Sequence, residues 1–197
     1  MTDIHLVIKD LTPELWPDLE KLFGKNGACA GCWCMWWRYQ LGDKLTGNKN
    51  AANKRRFKKL VSDDEVYGAL AYVDGEAVGW VNYGPRKDFP RLDRAPSNVC
   101  NDAEKVWSVP CFFVRRDHRG HGVSEALLDH ALRAMKRRGV KVAEGYPVST
   151  KKAGEQMPHA FAFTGFSSTF AEAGFKLTGP SKFKRKRVRK SLRGSGS

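Results

Sequence analysis

Val106-Trp107-Ser108-Val109-Pro110-Cys111-Phe112-Phe113-Val114 is followed at once by Arg115-Arg116-Asp117-His118-Arg119-Gly120-His121-Gly122-Val123-Ser124. Nearly every residue of the first run is apolar or small, the pattern of a strand covered on both faces. After the second run, Val123, Ala126, Leu127, His130, Ala131, Ala134 and Met135 recur at three- and four-residue spacings and line one face of a helix. Asp129 stands four residues before Arg133 on the charged face, where the pair supports the helix. The connector therefore joins a buried strand to an amphipathic helix, and it holds two glycines and Arg119. A helix N-terminus offers unpaired amides and the positive end of the dipole, and glycines let an anion approach the backbone. The same glycines also suit an ordinary tight turn with positive φ.

Two familiar nucleotide loops do not fit. The third glycine and the following acidic residue of a dinucleotide fingerprint are missing, and no Gly-Lys-Ser/Thr follows. Arg119-Gly120-His121-Gly122-Val123-Ser124 instead resembles the Arg/Gln-x-x-Gly-x-Gly/Ala pyrophosphate loop of the GNAT superfamily of acetyl-CoA-dependent N-acetyltransferases, with Ser124 where Gly or Ala is usual. The buried strand, the helix, a further strand at Val140 to Val148 and the late Phe170-Ala171-Glu172-Ala173-Gly174-Phe175 occur in the superfamily's order. Leu70 to Tyr83 resembles its second-and-third-strand hairpin, so the resemblance covers roughly two thirds of the chain. It implies an α/β fold of the α+β type, with a mixed, mostly antiparallel sheet, splayed central strands and flanking helices. It also implies acetyl-CoA as co-substrate. The pyrophosphate would lie on Arg119, Gly120, His121, Gly122, Val123 and Ser124, and the pantetheine arm and thioester on the backbone of Cys111, Phe112, Phe113 and Val114.

Length and composition agree with one enzyme-sized domain. The 197 residues suffice for one core, expected over residues 1–190, with 191–197 a flexible tail or cloning scar. No apolar run approaches the length of a membrane span and the N-terminus lacks a signal-peptide pattern, so a cytoplasmic protein is expected, as monomer or homodimer. Five cysteines, three of them crowded together, argue against a secretory disulfide framework. The excess of 35 Lys and Arg over 21 Asp and Glu, net +14, favours polyanionic partners, of which coenzyme A is one and RNA another.

The remaining segments supply the other candidate residues. A strand is expected at His5 to Asp10, then a helix opening at Thr12-Pro13, although Pro17 falls inside it. Cys29-Ala30-Gly31-Cys32-Trp33-Cys34-Met35-Trp36-Trp37-Arg38-Tyr39 places three thiols at C-x-x-C-x-C spacing. A closed metal site needs a fourth ligand and none stands nearby, so no metal is expected. Trp33, Trp36, Trp37 and Tyr39 either wall a substrate pocket or belong to the core. Asn53 to Leu60 reads as a basic helix, open to solvent or to phosphates. Tyr67 to Val73 and Ala77 to Tyr83 form a hairpin across Asp74-Gly75, and Gly84 to Ser97 is a proline-containing loop. Pro110 cannot donate to a ladder, so the central strand must carry a bulge.

Glu144 lies in the apolar stretch Val140 to Tyr146. It is either poised as the base that deprotonates an amine or tied to a Lys or Arg as a structural bridge. His159, in a loop, is the second candidate base. Phe170 stands where many superfamily members carry tyrosine as the acid for the leaving thiolate. Lys182 to Lys190 reads as a basic tail or, by its place in the superfamily's order, the final strand. The expected function is direct transfer of acetyl to the primary amine of a small molecule, suggested by the aromatic segment. An amine carried on RNA or protein and a non-catalytic nucleic-acid binder are the alternatives.

Overall fold

Among the described residues, seven strands form one sheet in the order β1-β2-β3-β4-β5-β7-β6. They are β1 (Leu6–Asp10), β2 (Tyr67–Val73), β3 (Glu76–Pro85), β4 (Val106–Val114), β5 (Val142–Gly145), β6 (Lys176–Leu177) and β7 (Val188–Ser191). The computed structural model describes residues 5–40, 42–43, 49–148, 163–178 and 186–192. Every neighbouring pair is antiparallel except β4 with β5. The mixed, mostly antiparallel sheet implied by the sequence is the one found.

Local chemistry explains the joints. Asp74 and Gly75 both take positive φ, 49° and 79°, as a type I′ turn between β2 and β3 requires. Opposite Pro110 the β3–β4 register shifts: Asn82 pairs with Cys111 and Gly84 with Ser108, so β4 spends one residue more than β3. That is the bulge a proline in a central strand demands. Pro17 is accommodated because Pro13–Leu15 is a separate 3-10 turn and α1 (Trp16–Phe23) starts only at Trp16. The proline then sits in the first turn, where no N–H is needed. The expected loop after Gly84 is partly strand, since β3 runs to Pro85, and partly a chain of 3-10 turns.

Helices cover both faces of the sheet. On one, α1 buries Trp16, Leu19, Leu22 and Phe23, and α2 (Lys49–Ser62) buries only Asn53, Phe57 and Val61, a stripe at four-residue spacing. These pack with Leu70, Tyr72 and Trp80 of the hairpin. On the other face α3 (Val123–Arg137) and α4 (Ser167–Glu172) pack Leu127, Ala131, Met135 and Phe170 against Ala69, Val81, Val109 and Phe112. Each fully buried Leu or Phe contributes about 1.5–3 kcal/mol by leaving water. Of the basic run Lys182 to Lys190, residues 182–185 lie outside the described residues, while its end belongs to a strand: Val188–Ser191 pairs with both β5 and β6, and Leu192 beyond it is buried.

Phe170 is seated on Gly145, where an added Cβ would lie 2.1 Å from its ring. Gly145→Ala is therefore expected to destabilise the fold by about 1–3 kcal/mol through overpacking, read as a lower urea midpoint. An unchanged midpoint would mean that the ring relocates freely.

Candidate active site

The connector after β4 builds an open cradle. A 3-10 turn at Arg116–His118 leads to Gly120 and to Gly122, the N-cap of α3, with φ of 77° and 75°. A Cβ at either glycine would meet no atom within 4 Å, so the space over these amides is free for a ligand. Arg119 is steadied by donating from Nε to the Val114 carbonyl at 2.9 Å. Gly120, Gly122, Val123 and Ser124 line one end of a cavity of about 590 Å³, which is ligand-sized. Left-handed glycines, free amides and the N-terminus of a 15-residue helix fit a pyrophosphate group. His121 does not line the cavity; its ring nitrogen lies 2.9 Å from the Arg119 carbonyl and it is exposed. His118 takes the place expected of it.

Further along the cavity the central strands separate. β4 and β5 pair from Val106–Val142 to Val109–Gly145, and beyond the Pro110 bulge no strand among the described residues pairs with β4 on that side. Phe112, Phe113 and Val114 line the cavity as expected. One expectation about this stretch needs correction: the Phe112 amide is already donated to the Phe163 carbonyl at 2.6 Å and is not free for a thioester. The contact expected of Cys111 is through its backbone; its side chain lies on the opposite face of the sheet, the Sγ 3.6 Å from Cys34 Sγ. The rest of the wall comes from Ala28, Cys29, Glu125, Phe163, Gly165 and Phe166. Apart from Cys29, which belongs to the cysteine and tryptophan segment, none of these carried a sequence signal, because they reach the cavity from loops and from the start of α3.

The aromatic segment is mostly core. Trp33 is stacked on Trp16 with ring centroids 5.8 Å apart, and the Tyr39 hydroxyl bonds Asn53 at 2.5 Å; both are buried. Trp36 is 38% exposed and lies under the Arg91 guanidinium at 3.7 Å. Only Trp37 approaches the site, packing its ring beside Phe163 and Tyr146 at 6.1 and 6.5 Å. Ala28, Ala30, Trp33 and Cys34 all take positive φ, a conformation costly for side chains bearing a Cβ. The segment is thus held in place by its packing.

The three thiols of that segment do not assemble a ligand set: among the described residues no group of three or more His, Cys, Asp or Glu gathers to hold a metal. Burial pushes the Cys32 thiol up to about 12, with Cys34 nearby adding to the effect. The hydrogen bond with Cys34 and burial together push Cys111 well above the ordinary range. Metal ligation and nucleophilic attack both need thiolate. Cys32 is expected to alkylate with iodoacetamide more slowly than an ordinary cysteine at the same pH, since a raised pKa leaves less of it as thiolate. Residue-resolved mass spectrometry checks this, and labelling at the ordinary rate would contradict it.

Glu144 is fully buried and does not line the cavity. One oxygen accepts the Tyr146 hydroxyl at 2.5 Å and the other Arg189 Nε at 2.6 Å, with Arg86 at 3.6 Å and Arg187 at 3.9 Å. Arg86 continues to Asp93 and Arg189 to Asp102, while Ser108 shares the Tyr146 hydroxyl at 2.8 Å. Burial works against the Arg189 charge, but the hydrogen bonds it donates to Asp102 and Glu144 outweigh it and hold its pKa above normal. Of the two roles open to Glu144, these surroundings support the bridge. Its ion partners came from β7 and from turns distant in sequence, beyond the reach of any spacing argument. His159 lies outside the described residues. Phe170 is buried edge-on against Phe112 and Phe175 and does not line the cavity.

Solved structures with the same architecture include an N-acetyltransferase from Staphylococcus aureus Mu50, at 10% identity over 96% of this chain and 99% of that one, TM-score 0.55. PaiA N-acetyltransferase from Thermoplasma acidophilum, in complex with coenzyme A, matches at 12% identity over 95% and 99%, TM-score 0.53. A ribosomal-protein-alanine N-acetyltransferase from Brucella melitensis matches at 17% over 94% and 99%, TM-score 0.53. No curated protein sequence matches the chain. At these identities the likeness shows the fold. The sequence itself matches the model of the acetyltransferase (GNAT) family over residues 35–146, more than half its length and including β4, the glycine cradle and α3. The loop read as a pyrophosphate site thus sits where this fold opens its sheet, and the chain belongs to the GNAT acetyltransferase family.

Proposed function

We propose that the protein transfers acetyl from acetyl-CoA to a primary amine by direct attack within a ternary complex. The observation that carries this is the open glycine cradle at the head of α3, continuous with a cavity along the part of β4 beyond its pairing with β5. Acetyl-CoA, a co-substrate in this family, supplies an acetyl thioester. Arg119 and the amides from Gly120 to Ser124 bind its pyrophosphate, and Phe112, Phe113 and Val114 flank the arm. The acceptor nitrogen forms the new C–N bond as the C–S bond breaks and CoA leaves as thiolate. An alkyl ammonium with pKa near 10.4 is mostly protonated at neutral pH, so its proton must first be lost. Glu144 enters this reading as a positioning residue for Tyr146 and Ser108 beneath Trp37, because both its oxygens are engaged. His159 is retained as a candidate base.

For the acceptor, the Phe112, Phe113, Phe163 and Phe166 rings that line the cavity support a small-molecule amine, whose apolar or cationic body they would hold, with Trp37 packed behind Phe163. RNA as carrier of the amine is favoured by one other observation, the concentration of charge in α2. The test is a panel of amines incubated with acetyl-CoA, following free CoA and acetylated product by mass. Acetylated amine with matching CoA release is expected. Failure of acetyl-CoA to bind would remove the reading.

A further inference from the structure

The positive charge of this protein is not spread evenly. Lys49–Ser62, the whole of α2, holds six of the 35 basic residues and none of the 21 acidic ones. Fourteen residues therefore carry six of the fourteen net charges. Only Asn53, Phe57 and Val61 face the core, where Asn53 is bonded to both Tyr39 and the Gly31 carbonyl. The helix is thus anchored along one narrow stripe. Arg55, Arg56, Lys58 and Lys59 are exposed, and of these only Lys59 enters a salt bridge among the described residues, with Asp63 at 2.6 Å. Side chains four apart repel when alike in charge, so a helix with six cations and no acid has no reason in its own stability to be built this way.

Beside this face lies a second cavity, of about 650 Å³, between α1 and α2. Its wall includes Lys21, Lys25, Lys54 and Lys58 with one acid, Glu20, and the Trp16 and Trp33 rings; Lys21 is paired outside the groove with Glu76 at 2.8 Å. Lys54 and Lys58 stand 5.4 and 5.9 Å from the Trp33 and Trp16 rings, and Lys54 also bonds Glu20 at 2.5 Å. The ammonium groups are thus displayed on a rigid aromatic floor. The same segment that closes this groove with Gly24, Lys25 and Trp33 supplies Ala28 and Cys29 to the wall of the acetyl-transfer cavity. The basic surface therefore ends a few residues from the candidate active site.

We infer that α2 and the groove beside it form a docking surface for the phosphate backbone of RNA. A row of cations with few acidic partners on a convex helix is complementary to a regularly charged polyanion, which it attracts through released counterions. RNA is the source because the acetyl-transfer reading, on which this choice alone rests, needs an aliphatic amine. RNA carries one when aminoacylated, whereas DNA does not. Binding itself requires no transfer and is measured without acetyl-CoA.

The experiment uses the full chain and a short fluorescent RNA stem-loop, titrated by anisotropy between about 50 and 200 mM salt. Arg55→Glu, Arg56→Glu and Lys58→Glu are combined in one variant, and the same three positions are changed to Gln in a second that keeps helix propensity. Wild-type binding is expected to weaken steeply with salt. The Gln variant should bind at least about tenfold more weakly, with a slope of log K against log salt reduced by about 0.7–0.9 for each phosphate that is no longer neutralised, and the Glu variant more weakly still. Acetyl-CoA binding should stay that of the parent, and the melting temperature should not fall, since like charges are removed from the helix. The inference is overturned if the parent does not bind the stem-loop, or if the variants keep the parent's slope. It is also overturned if polyglutamate or a DNA stem-loop competes as well as RNA. Loss of acetyl-CoA binding in the parent would instead strike the acetyl-transfer reading, leaving the RNA measurement intact.

Discussion

Replacing Gly122 with valine is expected to weaken acetyl-CoA binding on the order of a hundredfold while leaving a folded protein. Gly122 caps α3 at φ 75°, and nothing stands within 4 Å of the place its Cβ would occupy. In the proposed complex that place belongs to the pyrophosphate. A valine side chain would fill it and hold the anion away from the α3 amides. Losing one or two charge-assisted hydrogen bonds at about 1.5–3 kcal/mol each accounts for the factor. The substitution also costs folding energy, because a β-branched residue at positive φ is strained by roughly 1–2 kcal/mol. Gly122→Asn separates the two effects, since asparagine tolerates this conformation yet still intrudes on the phosphate. Calorimetric titration with CoA, alongside urea unfolding, reads both. A folded Gly122→Val protein with the parent's CoA affinity would show that the cofactor does not use this cradle.

Glu144→Gln is expected to lower stability by about 3–5 kcal/mol, the cost of removing one partner from a buried ion pair. Three guanidiniums, from Arg86, Arg187 and Arg189, surround this carboxylate, and Asp93 and Asp102 balance the remainder. Neutralising Glu144 leaves the buried cluster with an uncompensated positive charge. Gln keeps the shape and can still accept from Tyr146, so the loss is electrostatic. Asp102→Asn, at the half-exposed rim of the cluster, should cost less. Urea unfolding measures the difference, with turnover followed in the same samples. If Glu144→Gln proves as stable as the parent but loses about a hundredfold or more in turnover, the carboxylate carries the amine proton and its role as bridge is refuted.

The sequence determined a good deal of this protein. A strand apolar on both faces, the two glycines and the three-four periodicity after Val123 are local signals, and β4, the cradle and α3 stand where they indicate. Asp74-Gly75 fixed a hairpin because few dipeptides accept two positive φ angles. Pro110 required a bulge because proline has no N–H to give.

Tertiary structure decided what depends on partners far apart in the chain. Trp33, Trp36, Trp37 and Tyr39 are alike in character, yet Trp36 is exposed while Trp33, Trp37 and Tyr39 are buried, Trp37 behind the cavity-lining Phe163. Only packing against α1, α2 and Phe163 separates them. Phe112 exposes no free amide because Phe163, 51 positions away, supplies a carbonyl. Glu144 looked like a lone carboxylate in an apolar strand, and three arginines brought in by β3, β7 and their flanking turns make it the centre of an ion cluster. Alternation along a strand tells which face a side chain takes; what waits on that face is set by the order of strands in the sheet, and no local spacing records it.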